Sequence, residues 1–263
     1  MTDTGLHIVD GYAIEGASGD SEARDTTAGL DAVRTVLIHG AMDRHNSFRR
    51  VARRLSTPVV MYDRRGYGGS LDAEPPVRDL ERHVADLIHI IDDRPSVLIG
   101  HSVGGLIALI AAAHFPANIR SVAAFEPPTG WKPWWPDDLC VLLGETPEQT
   151  VERFYRQIVG DSAWERLGDA ARADLLREGP ALQVDLEAGR RSAPFHFADI
   201  AAPVLMGHGT LSEEHHIRAT RELADELPTA TLTTIEHANH GAHRSHPDAF
   251  ALFVERAIRI NTG

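Results

Sequence analysis

Ser96-Val97-Leu98-Ile99-Gly100-His101-Ser102-Val103-Gly104-Gly105 carries three local structures in succession. Ser96 to Ile99 is a short apolar run of the kind that forms a buried strand. Gly104-Gly105 opens an apolar helical stretch that continues to His114. Between them lies a Gly-x-Ser-x-Gly turn. The five-residue pattern alone is common by chance, and its strand–turn–helix setting is what makes it specific. Ser102 must then sit on a sharp turn with its hydroxyl exposed, and small flanking residues let strand and helix crowd together. The N–H of Val103, at the start of the helix, points to where an oxyanion would form if the hydroxyl attacked a carbonyl.

The surrounding chain repeats the same strand–helix rhythm. Further strand-like runs are Thr35 to Ile38, Pro58 to Tyr62, Ser121 to Phe125, Pro203 to Met206 and Thr231 to Ile235. They are almost continuously apolar, as in a parallel sheet buried on both faces. Helical stretches are expected at 45–55, 77–91, 104–114, 212–227 and 247–260. This alternation predicts an α/β, doubly wound, mostly parallel sheet. Residues 16–31, rich in Gly, Ser, Thr, Asp and Ala, read as a polar loop between two early strands.

The rhythm breaks once. Residues 128–200 carry helix signals and no convincing strand, so they are expected to form a helical lid inserted between core segments 1–127 and 201–263. Thr146-Pro147-Glu148-Gln149 offers an N-cap, a first-turn proline and a capping-box Gln. Stretches 167–178 and 181–191 also read as helical, divided by Gly179-Pro180. Trp131, Trp134 and Trp135 open the insertion. They either pack it onto the core or line an apolar acyl pocket, and the two roles are compatible.

Composition narrows the partners. A net charge of −12 over 263 residues disfavours nucleic acid and anionic membranes, which need a basic face. Cys140 is the only cysteine, so no internal disulfide forms, which suits a reducing cytoplasm. The N-terminal residues show neither a basic segment nor an apolar one of the kind that directs export.

Ordered motifs along nearly the whole chain resemble the α/β-hydrolase superfamily. Thr35-Val36-Leu37-Ile38-His39-Gly40-Ala41 is similar to the strand and His-Gly turn that supply a second oxyanion donor, here the N–H of Ala41. Tyr62-Asp63-Arg64-Arg65-Gly66-Tyr67-Gly68-Gly69-Ser70 resembles the family's D-x-R-G-x-G-x-S segment, in which Asp63 orders the loop. The resemblance implies that Ser102 is the nucleophile of a serine hydrolase acting on an ester or lactone, with a small-molecule substrate, no cofactor and no metal. A serine at 102 disfavours the epoxide hydrolases and haloalkane dehalogenases of this superfamily, which need a carboxylate there. Non-hydrolytic ligand binding, lyase chemistry and acyl transfer or cyclisation on the same fold stay open.

The base and the acid follow less directly. His237, His240, His243 and His246 crowd the C-terminal loop. In the family the catalytic His commonly precedes, by about two helical turns, a helix opening with Pro and an acid. Pro247-Asp248-Ala249-Phe250 matches that helix and selects His240, with His243 and His237 as alternatives. Most members carry the acid as an Asp after the strand read at Pro203 to Met206, but Thr210-Leu211-Ser212 puts a serine there. A minority use the end of the preceding strand, where Glu126 lies 24 residues after Ser102. A carboxylate ending an apolar strand needs a partner, and a histidine N–H would supply it. Glu213, Glu214 and Asp199 remain alternatives, as does a salt bridge from Glu126 to a basic residue of the lid.

Overall fold

A computed structural model describes residues 4–10, 33–188, 190 and 192–260. The polar loop expected at 16–31 lies outside the described residues. The strands are β1 (Ile8–Asp10), β2 (Arg34–Ile38), β3 (Val59–Tyr62), β4 (Ser96–His101), β5 (Ile119–Phe125), β6 (Val204–Gly209) and β7 (Ala230–Ile235). The helices are α1 (Arg49–Ala52), α2 (Leu80–Ile91), α3 (Val103–His114), α4 (Pro147–Val159) and α5 (Asp161–Glu165). They continue with α6 (Asp169–Leu176), α7 (Gly179–Glu187), α8 (Glu214–Glu226), α9 (Ala242–Ser245) and α10 (Pro247–Ile260).

The strands form one sheet in the order β1-β3-β2-β4-β5-β6-β7. β1 runs antiparallel to β3, and every other pairing is parallel. Alternation along each strand divides two cores. Val36, Ile38, Val60, Tyr62 and Leu98 face a layer built on α2, α3 and α8. Leu37, Val59, Met61, Val97 and Ile99 face Phe48, Phe250, Phe253 and Val254 on the other side. Both faces are covered, which is why the strands read as unbroken apolar runs. The chain leaves β2 for β3 on one side and returns to β4 on the other. The gap between the carboxyl ends of β2 and β4 is thus a topological switch point, where open α/β sheets place their ligands.

Residues between β5 and β6 contain α4 to α7 and no strand among those described. Thr146 and Gln149 close the expected capping box on α4. The Gly179-Pro180 pair stands at the boundary between α6 and α7, so two helices meet there as expected from sequence. The pair itself forms the first turn of α7, because proline is tolerated there, where its missing N–H leaves no bond unmade. The stretch expected to be helical at 45–55 forms a short 3-10 turn, His45–Phe48, followed by the single turn of α1. The helical segment packs on the core through Val151, Trp164, Leu175 and Leu182, against Ala41 and Met42 after β2. Asp185 of α7 reaches further, taking Arg64 Nη1 at 2.9 Å and Nη2 at 2.6 Å, and the Tyr67 hydroxyl at 2.6 Å. Among the described residues no helix is long and apolar enough to cross a membrane.

Candidate active site

Ser102 joins β4 to α3 at φ 55°, ψ −128°, a positive-φ backbone that a non-glycine residue adopts only when its surroundings hold it. Part of that hold is its N–H, which donates to Phe125 O of the neighbouring strand at 2.8 Å. Close approach supplies the rest. A Cβ at Gly104 would stand 2.3 Å from Ile38 O and 2.7 Å from His39 O, so only glycine lets α3 start against the end of β2. Val103 is the first residue of α3, where backbone N–H groups have no intrahelical acceptor. The turn after β2 lies against the same point. A Cβ at Gly40 would be 3.1 Å from Ser102 Cβ, and Ala41 follows directly. The two expected oxyanion donors, Ala41 and Val103, therefore flank the serine from β2 and from α3.

Glu126 follows β5, fully buried and itself at φ 50°. Its Oε2 is 2.6 Å from His240 Nδ1. Its Oε1 accepts from Gly209 N at 2.7 Å and from Ser212 Oγ at 2.5 Å. Three donors on one buried carboxylate compensate the loss of water that would otherwise make it costly. With Nδ1 facing a carboxylate, the neutral His240 carries its proton there and leaves Nε2 as an acceptor.

The rival assignments fall elsewhere. Glu213, Glu214 and Asp199 are exposed, and among the described residues none bonds to His240. His237 is exposed at the end of β7. His243 is buried with its Nε2 3.2 Å from Asp43 Oδ2, bracing the loop against the segment after β2. The lid salt bridge considered for Glu126 is replaced by the His240, Gly209 and Ser212 contacts.

The three tryptophans separate. Trp131 packs on the α2–α3–α8 core. Trp134 donates to Glu222 Oε2 at 3.3 Å beneath the Arg218 guanidinium. Trp135 alone of the three touches the histidines of the site, edge-on to His215 and His216.

Two side chains escaped the sequence reading. His101 Nε2 lies 2.7 Å from the backbone oxygen of His240 and donates to it, tying the elbow to the base loop. Burial, then the nearby His243 and His240, hold His101 well below the ordinary imidazole range and therefore neutral. His216 stacks on His240 itself. Its signal was available, since His216, Ala219, Thr220 and Leu223 form the buried stripe of α8 at helical spacing.

With that geometry in view, the family comparison is decisive. The model of the alpha/beta hydrolase family matches residues 35–251. The chain belongs to the α/β-hydrolase family. It is 32% identical over 234 residues to a pimeloyl-(acyl-carrier protein) methyl ester esterase of Chromobacterium violaceum, covering 82% of this chain and 90% of that protein. A namesake from Neisseria meningitidis is 31% identical over 239 residues, covering 84% of this chain and 92% of that protein. Among solved structures, MenH from S. aureus superposes with a TM-score of 0.71 at 18% identity, covering both chains fully. That last likeness speaks for the α/β-hydrolase fold alone.

Proposed function

We propose that this chain is a serine esterase that cleaves a carboxylic ester of an aliphatic acyl group through an acyl-enzyme. The observation that carries the reading is the 2.6 Å contact between His240 Nδ1 and a Glu126 carboxylate that is fully buried beside the Ser102 elbow. A histidine with its Nδ1 proton held by a buried carboxylate has Nε2 free to take a serine proton. His240 Nε2 removes the Ser102 proton as Oγ adds to the ester carbonyl. The N–H groups of Ala41 and Val103 hold the resulting oxyanion. His240 passes its proton to the departing alkoxide, and the alcohol leaves. Water then adds to the acyl-enzyme, giving its proton to His240, and the carboxylic acid is released as Ser102 regains a proton.

The methyl ester esterases among the relatives favour a small alcohol and an aliphatic acyl chain. The helices between β5 and β6 act as a lid whose anchors, Asp185 and Glu178, reach the loop after β3. Trp135 serves as a wall of the acyl pocket. Cys140, the single cysteine, suits a cytoplasmic setting.

A panel of methyl, p-nitrophenyl and lactone substrates tests the assignment, together with fluorophosphonate labelling and peptide mapping. Hydrolysis of the linear esters, a covalent adduct on Ser102 and loss of both in Ser102→Ala are expected. A fully active Ser102→Ala would overturn the assignment.

A further inference from the structure

His216 and His240 lie face to face, with ring centroids 4.0 Å apart and planes within 6°. No other aromatic contact of His240 is parallel among the described residues; His101 meets it at 4.5 Å with a 45° tilt. His216 is also buried, and its Nδ1 has no hydrogen-bond partner. What His216 presents to His240 is therefore its ring face and not a hydrogen-bonding atom. Trp135 packs edge-on against it from the opening of the inserted segment, at 6.0 Å.

We propose that His216 is a positioning residue for the base: its ring is the platform that fixes the plane of the His240 imidazole and steadies it when it becomes cationic. The proposal rests on the esterase reading above, in which His240 cycles between neutral and protonated forms. A cation gains from lying over a neutral aromatic face and loses over a charged one. His216 meets that requirement. Burial first, then the neighbouring His240, His215 and His101, keep it well below the ordinary imidazole range and so uncharged. Glu126, the carboxylate beside both rings, is committed to His240, Gly209 and Ser212 rather than to His216. Trp135, edge-on to His216, and His215, tilted against it at 4.1 Å, keep the platform from turning.

The test compares His216→Phe, which keeps an aromatic face, with His216→Leu, which keeps only bulk. Esterase kinetics are read alongside the low-field NMR signal of the His240 Nδ1 proton, with thermal melting as the check on folding. His216→Leu is expected to lower kcat about tenfold with KM little changed, the scale of one cation–π contact in a dry site. Its Nδ1 signal should broaden, while His216→Phe retains most of both. The proposal is overturned if the folded Leu variant keeps wild-type kcat and signal, or if Phe is as impaired as Leu. If wild-type protein hydrolyses no ester, the NMR comparison still decides whether the platform exists, separately from the esterase reading.

Discussion

Ser212 Oγ lies 2.5 Å from Glu126 Oε1, so the serine found after β6, where the family commonly has an aspartate, is bonded to the carboxylate that follows β5 and meets His240. β5 and β6 are neighbouring parallel strands, so the residues that follow them, Glu126 and Ser212, come within bonding distance. When the carboxylate moves to β5, a small hydroxyl at 212 is what fits: it leaves room for Glu126 and donates to it.

Glu126→Gln should therefore lower kcat on a soluble ester by about 10³- to 10⁴-fold, because an amide no longer holds the tautomer or supports the imidazolium. Ser212→Ala removes one of three donors, and a loss of about tenfold is expected. The decisive variant is the exchange Glu126→Ser with Ser212→Asp. It should recover at least about tenfold over Glu126→Ser alone, since the carboxylate returns to a place from which it can reach Nδ1. Steady-state kcat with parallel melting curves checks the series; no recovery in a folded double variant would show that β5 geometry is essential.

The sheet was legible because burial on both faces leaves unbroken apolar runs, and the elbow because glycine spacing reports backbone crowding directly. The family resemblance, not local pattern, points to Glu126 at the end of a strand and to His240 before α10; in the structure the two meet at 2.6 Å. What stayed hidden depends on tertiary approach. Ser212 was noticed only as a missing aspartate, and nothing local says that its hydroxyl meets Glu126. His216 is one polar residue in a charged helix, and only the buried stripe of α8 and the approach of the C-terminal loop set it against His240.

Gly104→Ala tests the crowding at the elbow. A Cβ there would stand 2.3 Å from Ile38 O, a backbone atom that cannot swing aside as a side chain can. The strand end or the start of α3 must shift, and both proposed oxyanion donors, Ala41 and Val103, ride on those two pieces. A stability loss of about 1–3 kcal/mol is expected from overpacking. Activity should fall further than stability alone explains. Urea melts and kcat on the same preparation separate the two effects, and an alanine variant with normal kcat would show that the donors sit elsewhere.

Arg64 and Asp185 form a bidentate pair with both side chains out of water, and Arg64 Nη2 also donates to Gly40 O at 3.0 Å. The guanidinium thus fastens α7 of the inserted segment to the turn that carries Ala41. Burial opposes the charge on each partner, and the mutual attraction outweighs it, raising Arg64 and lowering Asp185. Asp185→Ala leaves an unpaired buried cation and should destabilise by about 3–5 kcal/mol. Arg64→Lys should not rescue the geometry, because an ammonium cannot span the carboxylate and the Gly40 carbonyl with one planar fork. Denaturant midpoints report the first effect. A lower kcat for Arg64→Lys, measured well below its melting temperature, reports the second.

Acid stability follows from the buried imidazoles. Burial first, then the Arg64 guanidinium, push His39 down to about 4 and His83 down to about 3. In the unfolded chain both titrate near 6.5, so between that value and the folded one the unfolded state binds more protons and stability rises with pH. Their contribution is complete above about pH 6.5 and is lost as pH falls towards 4 and then 3. Each costs about 1.4 kcal/mol per pH unit within its window. His101 and His216, also depressed by burial, add to the same slope. Asp63 and Asp185 lie below the ordinary carboxylate range, so their contribution disappears only at lower pH. The protein should therefore lose stability steeply between about pH 6 and 4, before its paired carboxylates titrate. Urea midpoints from pH 7.5 downward measure the slope, and His83→Phe should flatten it by about one proton. A stability that stays level down to pH 4 would mean these histidines are protonated in the folded state.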